Sequence, residues 1–154
     1  MAETIRIADQ LRRAFAGGAW HGDSLFEILE GVTATRAAGH PIKGAHSIWE
    51  LVLHIAAWDG VALRRLRGSA AEISELENFP AVTDTGEAAW RAVLAETQRV
   101  HEELVAAVAA FPESRLEEIV PDKEGPPYTF YYTLHGVVQH ELYHAGQIAL
   151  LKKM

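Results

Sequence analysis

Two histidines, His140 and His144, stand four residues apart near the C-terminal end of the chain. On a helix that spacing projects both imidazoles from one face at neighbouring turns, the geometry by which a helix supplies two ligands to one metal ion. Thr133, Val137, Gln147 and Leu151 share that face. The pair therefore points into mostly apolar surroundings, where imidazole nitrogens need a partner. A His pair at this spacing can also be two ordinary side chains, each with its own hydrogen bond. His54 shifts the balance, because it too flanks an apolar stripe, on a segment that an antiparallel bundle could place opposite the first pair. Three inward histidines from two helices make a three-nitrogen site with open positions, as in catalytic zinc centres.

Other residues gather around this trio. Glu141 sits between core positions and could act as a general base; its simpler role is a salt bridge, or a hydrogen bond to a metal-bound imidazole. Gln147, one turn beyond His144, is placed to support it, and Trp58 lies about 40° from His54 on the helical wheel, as a substrate contact or a rim aromatic. His21, in the Trp20-His21-Gly22 turn, could reach over the bundle end as a further ligand or substrate contact. His101 and His135 are expected to project away from the site, as surface or cap residues, and His40 and His46 fall in a loop.

The elements that must position these side chains are helical. Four segments show 3.6-residue apolar spacing and none shows sustained alternation, which predicts an all-α fold in a single domain spanning 1–154. The first helix runs from about Ile5 to Phe15, with Ile7, Leu11, Ala14 and Phe15 on one face and Gly17-Gly18 as its stop. A short turn of helix follows from Ser24 to Leu29, opened by a capping box ending at Glu27. Ser47-Ile48-Trp49-Glu50 is a second capping box, and the helix it opens should bury Ile48, Leu51, Val52, Ile55, Ala62 and Leu66 before stopping at Gly68.

Residues 69–84 read as a connection with one helical turn around Ala71 to Leu76, long for a bundle loop. A third helix starts after Asp84-Thr85-Gly86-Glu87, carries Ala89, Val93, Val100, Leu104, Ala107 and Val108, and ends at Phe111 before Pro112. The stretch 112–128, with Pro112, Pro121, Gly125, Pro126 and Pro127, must be irregular and is a natural lip over a site. The last helix runs from about Thr129, with Leu134, Val138, Leu142, Ala145 and Ala149 as its expected core stripe.

Composition narrows the function. The chain has 154 residues, no Cys, and 14 Lys plus Arg against 21 Asp plus Glu, for a formal charge of -7. Without a concentrated basic stripe, nucleic-acid binding is disfavoured. Charged residues interrupt the N-terminal apolar positions and no run approaches a membrane span, so a soluble cytoplasmic protein is expected. The missing cysteines exclude disulfides, thiolate metal sites and a thiol nucleophile supplied by the chain. Metal and acid–base chemistry is left to eight histidines and the carboxylates.

The segment from Ser47 to Trp58, followed by Gly136-Val137-Val138-Gln139-His140-Glu141-Leu142-Tyr143-His144-Ala145-Gly146-Gln147-Ile148, resembles the DinB-like superfamily, as does Ala19-Trp20-His21-Gly22. The resemblance implies an antiparallel four-helix bundle, a homodimer, and a divalent metal ion, zinc or nickel, on His54, His140 and His144. The superfamily includes bacillithiol transferases and mycothiol-dependent maleylpyruvate isomerases, so it implies a transferase using a metal-activated low-molecular-weight thiol on a small-molecule substrate. With water as the nucleophile the same site gives a hydrolase. A third outcome is a stress-related bundle whose metal is structural.

Overall fold

The computed structural model describes residues 1–121 and 127–154. Its long elements are the helices α1 (Glu3–Ala16), α4 (Ile48–Leu66), α6 (Glu87–Ala110) and α7 (Phe130–Lys152), with short helices α2 (Leu25–Leu29), α3 (Ala34–Ala38) and α5 (Glu75–Asn78) between them. The first and second long helices follow their sequence signals closely. Every residue of the expected α1 and α4 stripes is buried. At the start of α4 the Ser47 N–H donates to Glu50 Oε2 at 2.7 Å while the Glu50 N–H donates to Ser47 Oγ at 3.2 Å, satisfying two otherwise orphaned donors. Gly68, at φ +88°, takes the left-handed conformation that lets the chain leave the helix.

Cross-helix contacts fix the direction of each helix. Phe15 stacks on His101, and Glu3 approaches His135. Trp49 packs on Trp90 and Asp59 bonds His101, whereas His54 meets His140 and Arg65 faces Thr133 across a cavity. Contact order thus rises together along α4 and α6 but oppositely along α4 and α7. The all-α bundle is built from two antiparallel pairs, α1 with α6 and α4 with α7, in an up–down–down–up order. This order accounts for the long connection 67–86: two consecutive parallel helices need a link that returns the length of α4, about 29 Å at 1.5 Å per residue. The helical turn in that link is Glu75–Asn78, opened by a Ser74–Glu77 capping box, rather than the stretch around Ala71 to Leu76.

The interior holds two apolar clusters. One, at the end where α4 and α6 begin, contains Phe15, Leu25, Trp49, Ile55, Trp90 and Ile148; the other contains Ile7, Leu11, Ala62, Leu104, Phe111 and Phe130. Trp90 is anchored by its Nε1–H, which donates to the Val32 carbonyl at 2.8 Å, and Glu87 accepts the Ala34 N–H, docking α3 on the start of α6. Two expected stripes are corrected in part: Leu104, Val108, Leu134 and Ala145 are buried as expected, whereas the other expected positions are only half-buried. On α6 the buried residues are Trp90, Thr97, His101, Leu104 and Val108, and on α7 they are Phe130, Leu134, Val137, Glu141, His144, Ala145, Ile148 and Leu151. Each true stripe contains polar residues, so apolar periodicity alone selected a neighbouring face.

Part of the expected lip, 122–126, lies outside the described residues. Its flanks are tied together: the Val120 N–H donates to Tyr128 O, Phe130 N–H to Glu118 O and Tyr131 N–H to Leu116 O. Leu116 and Val120 are buried in the second apolar cluster.

Candidate metal centre

The α4–α7 seam brings His54, His140 and His144 together, each offering a ring nitrogen within 4.8 Å of the others. His54 Nε2 and His140 Nε2 are 2.9 Å apart. His54 and His144 are 6% and 7% exposed, and His140 is half-buried. Two of the three rings are oriented from behind. His54 Nδ1–H donates to the Asn78 carbonyl at 2.7 Å, and His144 Nδ1–H donates to Gln147 Oε1 at 2.7 Å. Each of these bonds fixes the tautomer that leaves Nε2 with its lone pair free. His140 Nδ1 is buried without a hydrogen-bond partner among the described residues.

The last residue of α5 holds this arrangement. Asn78 accepts from His54 through its backbone carbonyl and from Trp58 Nε1–H through Oδ1 at 2.9 Å. Phe79 then lies flat on His54, with centroids 4.1 Å apart, and His46 covers its other face at 3.8 Å. The long connection therefore returns across the bundle and also clamps a candidate ligand. Burial is the first cause lowering the pKa of all three histidines, and the neighbouring imidazoles add to it at His54 and His140; His140 is pushed down to about 3. At neutral pH the trio is uncharged, the state in which imidazole ligates a metal. The donor set of three neutral, converging nitrogens fits a zinc- or nickel-type cation.

A cavity of about 230 Å³ adjoins the trio, lined by Trp58, Val61, Ala62, Arg65, Thr133, Gly136, Val137 and His140. Trp58 thus serves both as a wall of this cavity and as the anchor of Asn78. Gln147 supports His144 as the spacing suggested. His21 is exposed in the turn after α1 and is not part of the three-histidine cluster.

Glu141 turns away from the trio into the bundle, where a second cluster forms with Asp59 and His101. His101 is 2% exposed, which corrects the expectation of a surface or cap residue. Its Nδ1–H donates to Asp59 Oδ2 at 3.0 Å, and Glu141 Oε1 approaches the same nitrogen at 2.9 Å. Of the readings open to Glu141, the salt bridge is the one formed. Burial raises the Asp59 carboxyl, and burial together with the Asp59 charge pushes Glu141 up to about 8. For His101 burial acts downward, but the two carboxylates outweigh it and carry the ring up to about 9. The available signal for this cluster was an i,i+4,i+7,i+11 row of Thr97, His101, Leu104 and Val108, all buried.

Among the described residues no helix is long and apolar enough to cross a membrane. No curated protein and no solved structure gives a significant match to the chain. The family model described as the DinB superfamily matches residues 18–148, a span that contains all three histidines and the connection that clamps them. The chain belongs to the DinB superfamily.

Proposed function

We propose that this protein is a divalent-metal-dependent transferase that uses a low-molecular-weight thiol on a small-molecule acceptor, with His54, His140 and His144 as the ligands of a zinc or nickel ion. The observation that carries this reading is the convergence of three neutral imidazoles, one of which, His140, lines an apolar cavity. A divalent cation on three uncharged imidazoles keeps its +2 charge and supplies Lewis-acid chemistry, lowering the pKa of a thiol or water bound to it.

The chain's own residues define the rest. Asn78 and Gln147 hold two Nδ1–H groups, so the ligating nitrogens stay deprotonated and aimed inward. Trp58, Val61, Ala62 and Val137 give the acceptor an apolar wall. The chain contains no Cys, so a sulfur nucleophile must arrive as cosubstrate. The catalytic reading is favoured over a structural metal because His21 is exposed and Glu141 faces His101, so neither completes a closed four-ligand shell. We further propose that the protein works as a cytoplasmic homodimer without nucleic-acid or membrane partners; light scattering on a size-exclusion column tests the dimer.

Metal analysis by mass spectrometry tests the site, comparing wild type with the His140→Ala, His144→Ala variant. The expected result is that the variant loses one equivalent of zinc or nickel per chain and, with it, thiol-dependent consumption of an electrophilic acceptor. Equal zinc content in the two proteins would overturn the ligand assignment, and thiol conjugation surviving in the variant would overturn the transferase.

A further inference from the structure

Between the two apolar clusters of the bundle, three of the four long helices each contribute a buried polar residue. Asp59 lies on α4 between Ile55 and Ala62, His101 on α6 between Trp90 and Leu104, and Glu141 on α7 between Leu134 and Ile148, each pair of flanking residues belonging to opposite clusters. Asp59 and Glu141 are 0% exposed and His101 is 2% exposed. Among the described residues His101 Nε2 is buried without a hydrogen-bond partner, and the carboxyl oxygens of Asp59 and Glu141 have only His101 Nδ1 and one another to bond. Buried polar groups so thinly satisfied are rare in folded proteins and call for a physical cause.

We infer that Asp59, His101 and Glu141 form a second cation site, for a divalent ion harder than the one suited to the histidine trio. Several observations support this. The three side chains come from three different helices, and their ligand atoms lie within 4.8 Å of one another. His101 Nδ1 is 3.0 Å from Asp59 Oδ2 and 2.9 Å from Glu141 Oε1. Those separations match the roughly 3.0 Å edge of an octahedron whose metal–ligand bonds are about 2.1 Å. Two carboxylates and one neutral imidazole balance a +2 ion in charge.

Carboxylates and histidines on facing helices are a recurrent way for bundle cores to hold metals. The oxygen-rich donor set suits manganese or a similar ion, whereas three imidazoles suit zinc or nickel. Binding exchanges protons for the cation, the Nδ1 proton and any carboxyl proton leaving to solvent. His101 also lines a cavity of about 510 Å³ between α1 and α6, beside Phe15, Phe26 and Val105.

The probe is Mn²⁺ alone, added to the His140→Ala, His144→Ala variant so that the trio cannot contribute. Electron paramagnetic resonance should show the free-ion signal lost up to one equivalent per chain, with nitrogen coupling from one imidazole. Glu141→Gln and Asp59→Asn, which keep shape but remove charge, should each restore the free-ion signal, with circular dichroism confirming that the helices persist. A free-ion signal undiminished in the folded variant would overturn the site, as would Mn²⁺ binding that Glu141→Gln and Asp59→Asn leave unchanged. This readout is independent of zinc loss from the trio, so either site can fail without the other.

Discussion

Two clusters, each offering three candidate ligand atoms within 4.8 Å, occupy one bundle, and they differ in almost every physical respect. The histidine trio lies on the α4–α7 seam beside a cavity, with two of its rings tethered by acceptors at Nδ1. The Asp59–His101–Glu141 cluster is sealed between two apolar layers, its carboxyl groups bonded only to His101 and to one another among the described residues. In the trio, burial lowers every pKa, leaving the three rings uncharged at neutral pH. In the second cluster every pKa is raised, so the site holds its protons until another cation displaces them. Burial disfavours the charged form of each group, moving the trio down and Asp59 and Glu141 up; only at His101 do neighbouring carboxylates outweigh it.

Changes that strike one cluster and spare the other separate these accounts. The largest effect is expected from Asp59→Ala, which leaves His101 and Glu141 without their partner in a sealed layer. Removing one member of a buried ion pair costs about 3–5 kcal/mol, read as a drop in the urea midpoint, while His54→Ala should weaken zinc binding far more than stability. Next, Gln147→Leu removes the acceptor that orients His144, and zinc affinity by competition with a chelator should fall about 10–100-fold. An unchanged affinity would mean that the ring needs no such support.

The pH dependence of the chelator-treated protein sharpens the contrast. The His140 pKa is about 3 when folded against 6.5 unfolded, so the unfolded chain binds more protons and stability should fall as pH drops from about 6.5 through 3. His101, at about 9, acts oppositely: its stabilisation is complete below 6.5 and is lost as pH rises through 9. Glu141, raised from 4.5 to about 8, loses its contribution as pH rises from about 4.5 through 8, overlapping the onset of that loss. His140→Ala should flatten the acid limb and Glu141→Gln the alkaline limb; identical profiles would refute the division. The smallest effect is expected from Trp58→Phe, which removes the hydrogen bond to Asn78 Oδ1 but keeps the cavity wall. Zinc affinity should fall by less than about tenfold, since this support acts one bond further from the ligands.

The trio was legible in the sequence because its information is local. His140 and His144 share a helical face by spacing alone, and His54 follows a capping box and a clean apolar stripe that fix its helix and register. The second cluster was not, because its residues come from three helices and displace apolar residues from the true core stripes of α6 and α7. The same masking shifted the expected faces of those two helices. Asn78 and Phe79 also escaped notice. Their role depends on the long connection crossing the bundle, and its length was visible before its path. His21 stood out by the company of Trp20 and Gly22, yet its exposure sets it apart from the trio.

The central claim is that His54, His140 and His144 share one metal ion. Crystals grown with zinc and measured at the zinc absorption edge address it directly, because anomalous scattering locates the ion without reference to activity. The account predicts a peak bonded to the Nε2 atoms of His54 and His144 and to His140. Zinc bound elsewhere, with no peak among these three rings, would contradict it.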